Sequence, residues 1–343
     1  MKNMVQIAKE LNVSAATVSY VYNNKWREKR ISESLADKIS EKLKQENFRP
    51  NFLGKQLRLG KTMTIGVVMP DLNTLHSLEL LNGMEMVLAE HNYFTLFCNS
   101  KYGENEKVLF DMMLNRNVDG IIMMPHDSEK YLKQKVCGKV PSQESPPLVF
   151  IDNYIPGASI DFVVSDNKKG AFNAVTLCLK KGRRKIAYIG TGSNLAACND
   201  RFEGYSEALK RAGLKPDKNL VYRNIILHEN NIRITMEHIF NKEQKPDALF
   251  VESFLYFAEG FKFLYDNNIT VPQKLELIGF DDPDYIVKKM LPGEKLFFRK
   301  PLPYISQDAQ FIGKTAAMRL LELMRDKKQK ALCIFAETET VNG

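Results

Sequence analysis

Beyond residue 62 the chain repeats one pattern. A short apolar run ends in glycine, proline or an acidic residue, a segment with apolar residues at helical spacing follows, and another run begins. The runs are MTIGVVMP, YFTLFCN, VDGIIMMP, PPLVFID, DFVVSDN, RKIAYIG, PDALFVE, LELIGFDD and KLFFRK. They are apolar throughout instead of alternating, as strands covered on both faces are, and parallel strands need crossover helices to cover them. The helical segments fall at 78–91, 104–116, 168–181, 201–212, 231–241, 256–267 and 306–326. Nine strands are more than one compact sheet takes, and 343 residues exceed a single ordinary core. The pattern predicts two Rossmann-like subdomains.

The first 48 residues follow a different rule. Asn3, with Gln6 three residues on, marks a capping box, and Val5, Ile7, Ala8 and Leu11 form the apolar side of a first helix. Ser14 caps a second helix with Val18, Val21 and Thr17 inward. Ile31, Leu35, Ile39 and Leu43 recur at spacing four in a third, for which Ser32 marks the cap region. Three short helices with a tight Asn-Val-Ser connection between the first two make a helix-turn-helix.

Charge separates the same two regions. Residues 1–61 hold thirteen Lys or Arg against six Asp or Glu, which is seven of the chain's eight net positive charges. A small basic module on a near-neutral body points to a polyanionic partner for the module alone. The stretch NVSAATVSYVYNN, residues 12–24, presents small side chains on a short helix, a poor core stripe but a good surface for close approach to another molecule. Five scattered cysteines, none in a Cys-x-x-Cys pair, read as thiols of a reducing cytosol. No apolar stretch is long enough for a membrane helix, and the N-terminus lacks signal-peptide character, so the expected location is cytoplasmic with no membrane partner.

In this order the pieces resemble the LacI/GalR family of bacterial transcription regulators, from about Met4 to about Thr340. The matching stretches are QIAKELNVSAATVS, FRPNFLGKQLRLGKTMTIGVVMPDL, NRNVDGIIMMP, PLVFIDNYIPG, VVSDNKKGAFNAV, KGRRKIAYIG, DRFEGYSEAL, PDALFV and LELIGFDDPDY. The resemblance implies an N-terminal all-α helix-turn-helix headpiece (1–48), a hinge helix (49–61) and an α/β core of two Rossmann-like subdomains, periplasmic-binding-protein-like, over 62–343. The first subdomain would take 62–163 and 301–327, and the second 164–300 and 328–343. The chain would then cross between them near Val163–Asp166, Lys300–Pro303 and Lys327–Lys330. Such a core senses a small molecule, a sugar or other metabolite, and dimerises; the expected dimer surface is residues 77–92 together with Ser306–Met324.

Four departures from the family pattern stand out. NTLHSLEL replaces the usual Asn-Pro-Phe-Phe run after the first core strand, and ESF replaces the Asn-Asp that ends the ALFV strand. LFFRKPL stands where Thr-Thr-Val is common, and the connection NNKWREKRIS is a few residues longer than usual.

For DNA contact the resemblance puts Ala15 and Ala16 where base edges are read, and an alanine methyl suits the thymine methyl in a major groove about 12 Å wide. Tyr20 is the large polar reader one turn on, and Ser14, Thr17, Ser19 and Asn23 suit phosphate oxygens. In the hinge, Leu57 occupies the position of the leucine that wedges into a minor-groove base step, flanked by Asn51, Lys55 and Arg58. The alternative for Leu57 is packing of an ordinary linker on the core.

For the small molecule the resemblance carries over Arg201 and Asp281, with Asp166 beside the first crossing and His76 as a further candidate. Ligands of parallel sheets bind beyond the carboxyl ends of the strands. Arg201 could instead pair with Glu203 or Asp281, and Asp281 could cap a turn. No nucleophile elbow, phosphate loop or dinucleotide fingerprint occurs, and the acidic stretch DDPD has no neighbouring histidine, so no catalysis, cofactor or metal is expected. The reading is a dimeric regulator of a pseudo-palindromic operator. The alternatives are a regulator that answers to a protein or to no small molecule, and a solute-binding protein without DNA function.

Overall fold

The computed structural model describes residues 2–48, 60–70, 72, 74–101, 105–126, 145–191, 195–223, 229–243, 245–271, 273–282, 302–326 and 329–342. Its contacts divide the chain into two compact units, Met1–Thr62 and Met63–Gly343.

The first unit is three helices, α1 (Met4–Glu10), α2 (Ala15–Tyr22) and α3 (Glu33–Gln45). The capping box between Asn3 and Gln6 is formed, and Ser14 accepts a hydrogen bond from the Thr17 amide. Ser32 stands at the cap of α3 without a side-chain bond. The core is Ile7, Ala8, Val18, Val21, Ala36, Ile39 and Leu43. Val5, expected on the apolar side, is 55% exposed. On a seven-residue helix only one stripe can face α2 and α3, and Ile7 and Ala8 occupy it. Thr17 is half-buried.

The second unit has two six-stranded sheets. Strand order in the first is β11-β5-β4-β3-β1-β2, all parallel, from β1 (Thr64–Met69), β2 (Phe94–Asn99), β3 (Gly120–Met123), β4 (Leu148–Ile151), β5 (Asp161–Ser165) and β11 (Cys333–Ala336). The second runs β12-β10-β9-β8-β6-β7, from β6 (Ile186–Ile189), β7 (Val221–Tyr222), β8 (Ala248–Val251), β9 (Glu276–Phe280), β10 (Tyr304–Gln307) and β12 (Thr338–Val341). Only β12 is antiparallel to its neighbour among these strands. Helices α4 (Leu75–Glu90), α5 (Glu106–Asn115) and α10 (Ala309–Arg325) flank the first sheet. Helices α6 (Asn167–Lys180), α7 (Ala196–Arg211), α8 (Glu229–Phe240) and α9 (Phe254–Asp266) flank the second.

Both faces of each sheet are apolar, which is why the strand runs do not alternate. In the first sheet Ile65, Val67 and Met69 pack with α4 and α10, while Val68 packs with Phe110 and Met113 on the opposite face. Helices end on asparagine in the left-handed region at Asn12, Asn47, Asn92, Asn117 and Asn268, a role glycine more often takes. Gly83 and Gly313 let α4 and α10 touch backbone to backbone: a Cβ on Gly313 would lie 2.1 Å from the Leu80 carbonyl oxygen.

The crossings differ from those expected. The first falls between Ser165 and Asn167, close to the predicted place. The second follows Gln307, because residues 304–307 form β10 of the second sheet and the long helix starts only at Ala309, capped by Asp308. The third follows Ala336, because residues 333–336 join the first sheet beside β5. Hence 304–307 lie with the second subdomain and 333–336 with the first. The sequence hid these strands: YISQ has one buried residue of four, CIFA is an edge strand and TETV is polar. The run KLFFRK and the hinge 49–59 lie outside the described residues.

Candidate functional site

On the headpiece, α2 buries Val18 and Val21 and turns the other side outward. Ala16 and Asn23 are exposed, and Tyr20 is half-buried one turn from Ala16. These three, at i, i+4 and i+7, share one face. Ala15 differs from expectation: it packs against the headpiece core. The hydroxyls of Ser14 and Thr17 are 2.8 Å apart at the helix start, and the Asn23 side-chain amide donates to the Ser19 carbonyl at 2.8 Å. Asn51, Lys55, Leu57 and Arg58 lie outside the described residues.

The second candidate site is a polar recess of about 190 Å³, lined by Thr74, His76, Glu79, Asp281, Asp282 and Gln307 among others. It lies between the carboxyl ends of the two sheets' strands. His76 sits in the first turn of α4, which Thr74 caps by accepting from the Ser77 amide. Its Nε2 is 2.6 Å from Oδ1 of Asp152, which follows β4 at φ +63°. Burial opposes the imidazolium, but the Asp152 carboxylate outweighs it, and His76 is pushed up to about 9. Burial likewise opposes charge on Asp152, yet the imidazolium holds its carboxyl below the usual value. The two form a largely buried ion pair.

Arg201, on the second turn of α7, lies in the second subdomain. Its guanidinium stacks on the Phe280 ring at 3.7 Å. Nε donates to Asn167 Oδ1 at 2.7 Å, one terminal nitrogen to the Glu252 carbonyl, and the other to Gln307 Oε1 at 3.3 Å. Gln307 in turn donates to Asp281 Oδ1 at 2.7 Å. Arg201 therefore reaches Asp281 through Gln307; Glu203, the other suggested partner, pairs with Lys168 at 3.2 Å. Asp281 adopts φ +69°. Asp166, also expected here, caps α6 by accepting from the Lys169 amide at 3.0 Å and does not line the recess.

Residues that the sequence did not single out join the two halves. Asn153 donates to the Pro125 carbonyl at 2.6 Å and accepts from the Ala197 amide at 3.2 Å, capping from the first subdomain the N-terminus of α7. The Tyr154 hydroxyl donates to Asp200 on α7, 3.1 Å from the nearer oxygen. Burial raises the Asp200 carboxyl, and burial with Asp200 beside it pushes Tyr154 up to about 12. The available signal was position, since Asp-Asn-Tyr follows directly on β4 at the carboxyl end of a parallel strand. Glu252, in the altered ESF stretch, is fully buried; its carboxyl meets the Tyr188 hydroxyl and the Thr191 amide, and burial raises its pKa.

The described residues include no cluster of potential metal ligands and no helix long and apolar enough to cross a membrane. Residues 3–51 match the family model for bacterial regulatory proteins of the lacI family, and residues 175–343 match the periplasmic binding protein-like domain. The HTH-type transcriptional regulator RegA of Clostridium saccharobutylicum is 28% identical over 324 residues, covering 94% of this chain and 92% of its own length. The HTH-type transcriptional repressor CytR of Escherichia coli is 25% identical over 327 residues, covering 94% and 89%. A structure of the Lac repressor dimer bound to operator and the anti-inducer ONPF superposes with a TM-score of 0.81 at 18% identity, over 99% of this chain and 98% of that one.

Proposed function

The chain belongs to the LacI family of bacterial regulatory proteins, and on that premise we propose that it is a cytoplasmic repressor. It binds a pseudo-palindromic operator as a homodimer and is controlled by a small molecule held between the two halves of the core. Residues 1–48 are the DNA-binding headpiece, 49–61 the hinge and 62–343 the sensing and dimerising core. The observation that carries this reading is the pairing, in one chain, of a basic helix-turn-helix unit with a two-sheet core whose halves meet at a polar recess.

Ala16 and Tyr20 face the bases, and Ser14, Thr17, Ser19 and Asn23 take phosphates beside them. Ala15 contributes through packing. Asn51, Lys55, Leu57 and Arg58 act from the hinge. In the core His76, Asp281 and Gln307 offer hydrogen bonds to a hydroxyl-bearing ligand, while Arg201 fixes Gln307 and Asp281 in place. The dimer forms through α4 and α10, which leave Leu78, Met86, Phe311 and Met318 exposed. A CelR structure carries cellobiose, and the Lac repressor structure carries ONPF; a sugar or another polar metabolite suits this recess as well.

Selection of duplexes from a random DNA pool tests the first half: a two-fold symmetric motif is expected, and Tyr20→Ala shifts preference at one or two positions per half-site by roughly 1–3 kcal/mol each. A thermal-shift screen over sugars, nucleosides and phosphorylated metabolites tests the second, since a ligand at 100 times its Kd adds about 2.7 kcal/mol. Enrichment of no motif overturns the regulatory reading. A motif without any ligand hit favours a regulator that answers to a protein.

A further inference from the structure

The connection between α2 and α3 places four cations in six residues: Lys25, Arg27, Lys29 and Arg30, with Glu28 the one acid. It is folded. The Lys25 amide donates to the Tyr20 carbonyl at 2.8 Å, Lys29 to Lys25 at 3.2 Å and Ile31 to Trp26 at 2.9 Å. The result is a single turn closed by Arg30 in the left-handed region at φ +55°. Trp26 packs against the headpiece core and pins the turn. Arg27 lies over the Trp26 ring at 4.8 Å, and Lys29 over the Tyr20 ring at 5.4 Å, so the turn borders the outward face of α2.

The headpiece treats its cations in two ways. Lys2 and Lys42 each bridge Glu10 and Glu46, at 2.6 to 3.0 Å, and so tie the ends of α1 to α3. Lys25, Arg27, Lys29 and Arg30 are exposed, and among the described residues none of them is ion-paired. Folding does not require arginine at a left-handed position, where glycine fits without strain. An anchored turn with four exposed cations against one acid beside the proposed reading helix concentrates positive potential where a duplex backbone would pass.

We propose that this turn is a second DNA-contact element, in which Lys25, Arg27, Lys29 and Arg30 hold the phosphodiester backbone flanking the bases that α2 faces. The inference rests on the regulatory reading above and extends the contact surface beyond the recognition helix. Ammonium and guanidinium groups held against the backbone give position and affinity and no base readout.

The test uses the full chain and an operator from the selection, with affinity followed between about 50 and 200 mM salt. The variants are the double Arg27→Gln/Lys29→Gln and the single Arg30→Gly. Each phosphate contact contributes about 0.9 to the slope of log K against log salt, so the double variant of a dimer loses between about three and four. Arg30→Gly loses up to about two while its melting temperature rises, a combination that a merely structural arginine would not give. The selected motif stays the same for both. Folded variants with the wild-type slope overturn the proposal and leave the regulatory reading standing, and a changed motif overturns the assignment to phosphates. Failure of the wild-type chain to bind any duplex overturns both readings.

Discussion

His76 Nε2 and Asp152 Oδ1 lie 2.6 Å apart, joining the first turn of α4 to the end of β4 at one wall of the recess. Their side chains are 14% and 22% exposed. The folded value of His76, about 9, lies above the unfolded 6.5, with Asp281 adding to the effect of Asp152 and Arg201 opposing it. Its contribution is fully present below pH 6.5 and is lost as pH rises through about 9. Asp152, held below 3.8, contributes above that pH and loses its contribution as pH falls through its folded value. Urea unfolding of His76→Gln is expected to show a deficit on the order of 3 kcal/mol at mildly acidic pH that shrinks toward pH 9 and above. A deficit independent of pH would remove the ion pair from the account.

Arg201 distinguishes a core that senses from one that only folds. Arg201→Met leaves Asn167 Oδ1 and Gln307 Oε1 without their donor and frees Gln307 from one of its two partners. A loss of about 2–4 kcal/mol is expected, together with loss of response to any ligand found in the screen, while operator affinity without ligand stays near wild type. A mutant that melts lower yet responds fully would make Arg201 a purely structural residue.

The buried carboxyl of Glu252 depends on Gly190. A Cβ at Gly190 would lie 2.3 Å from Glu252 Oε2 and 2.7 Å from Tyr188 Cε1. Gly190→Ala is expected to cost about 1–3 kcal/mol. Adding Glu252→Asn, which shortens the side chain, recovers part of that cost because only the Tyr188 contact then remains. Calorimetry of the two single variants and the double decides it; strictly additive losses would contradict the coupling.

Arg319 and Asp161, each 8% exposed, anchor the return of the chain to the first sheet. Arg319 Nε donates to Asp161 Oδ1 at 2.6 Å, its terminal nitrogens reach Glu322, Gln329 and the Lys330 carbonyl, and Asp161 also accepts from the Leu332 amide at 3.0 Å. Arg319→Met alone is expected to cost about 3–5 kcal/mol by leaving a buried carboxylate uncompensated. Asp161→Asn in the same chain recovers part of the loss, since its amide oxygen can still accept from Leu332. Chemical denaturation of the single and double variants measures the difference.

Local chemistry was enough for much of this protein. The capping box of Asn3 and Gln6, the Ser14 cap, the buried spacing of Ile39 and Leu43 and the unbroken apolar runs each record in nearby residues the environment they will occupy, so the headpiece and the two-sheet core could be read from the chain. The family resemblance offered Arg201, Asp281, Asp166 and His76 as candidates for one cleft. The sequence could not show that Gln307 stands between Arg201 and Asp281, that His76 meets Asp152 across 76 residues, or that Asn153 caps a helix of the other subdomain. Nor could it place β10, β11 and β12, whose short, mixed or polar sequences become strands only because an existing sheet edge offers them hydrogen bonds. Contacts between residues far apart in the chain leave no periodicity in it; they exist only once the crossings between the two sheets have set which carboxyl ends face each other.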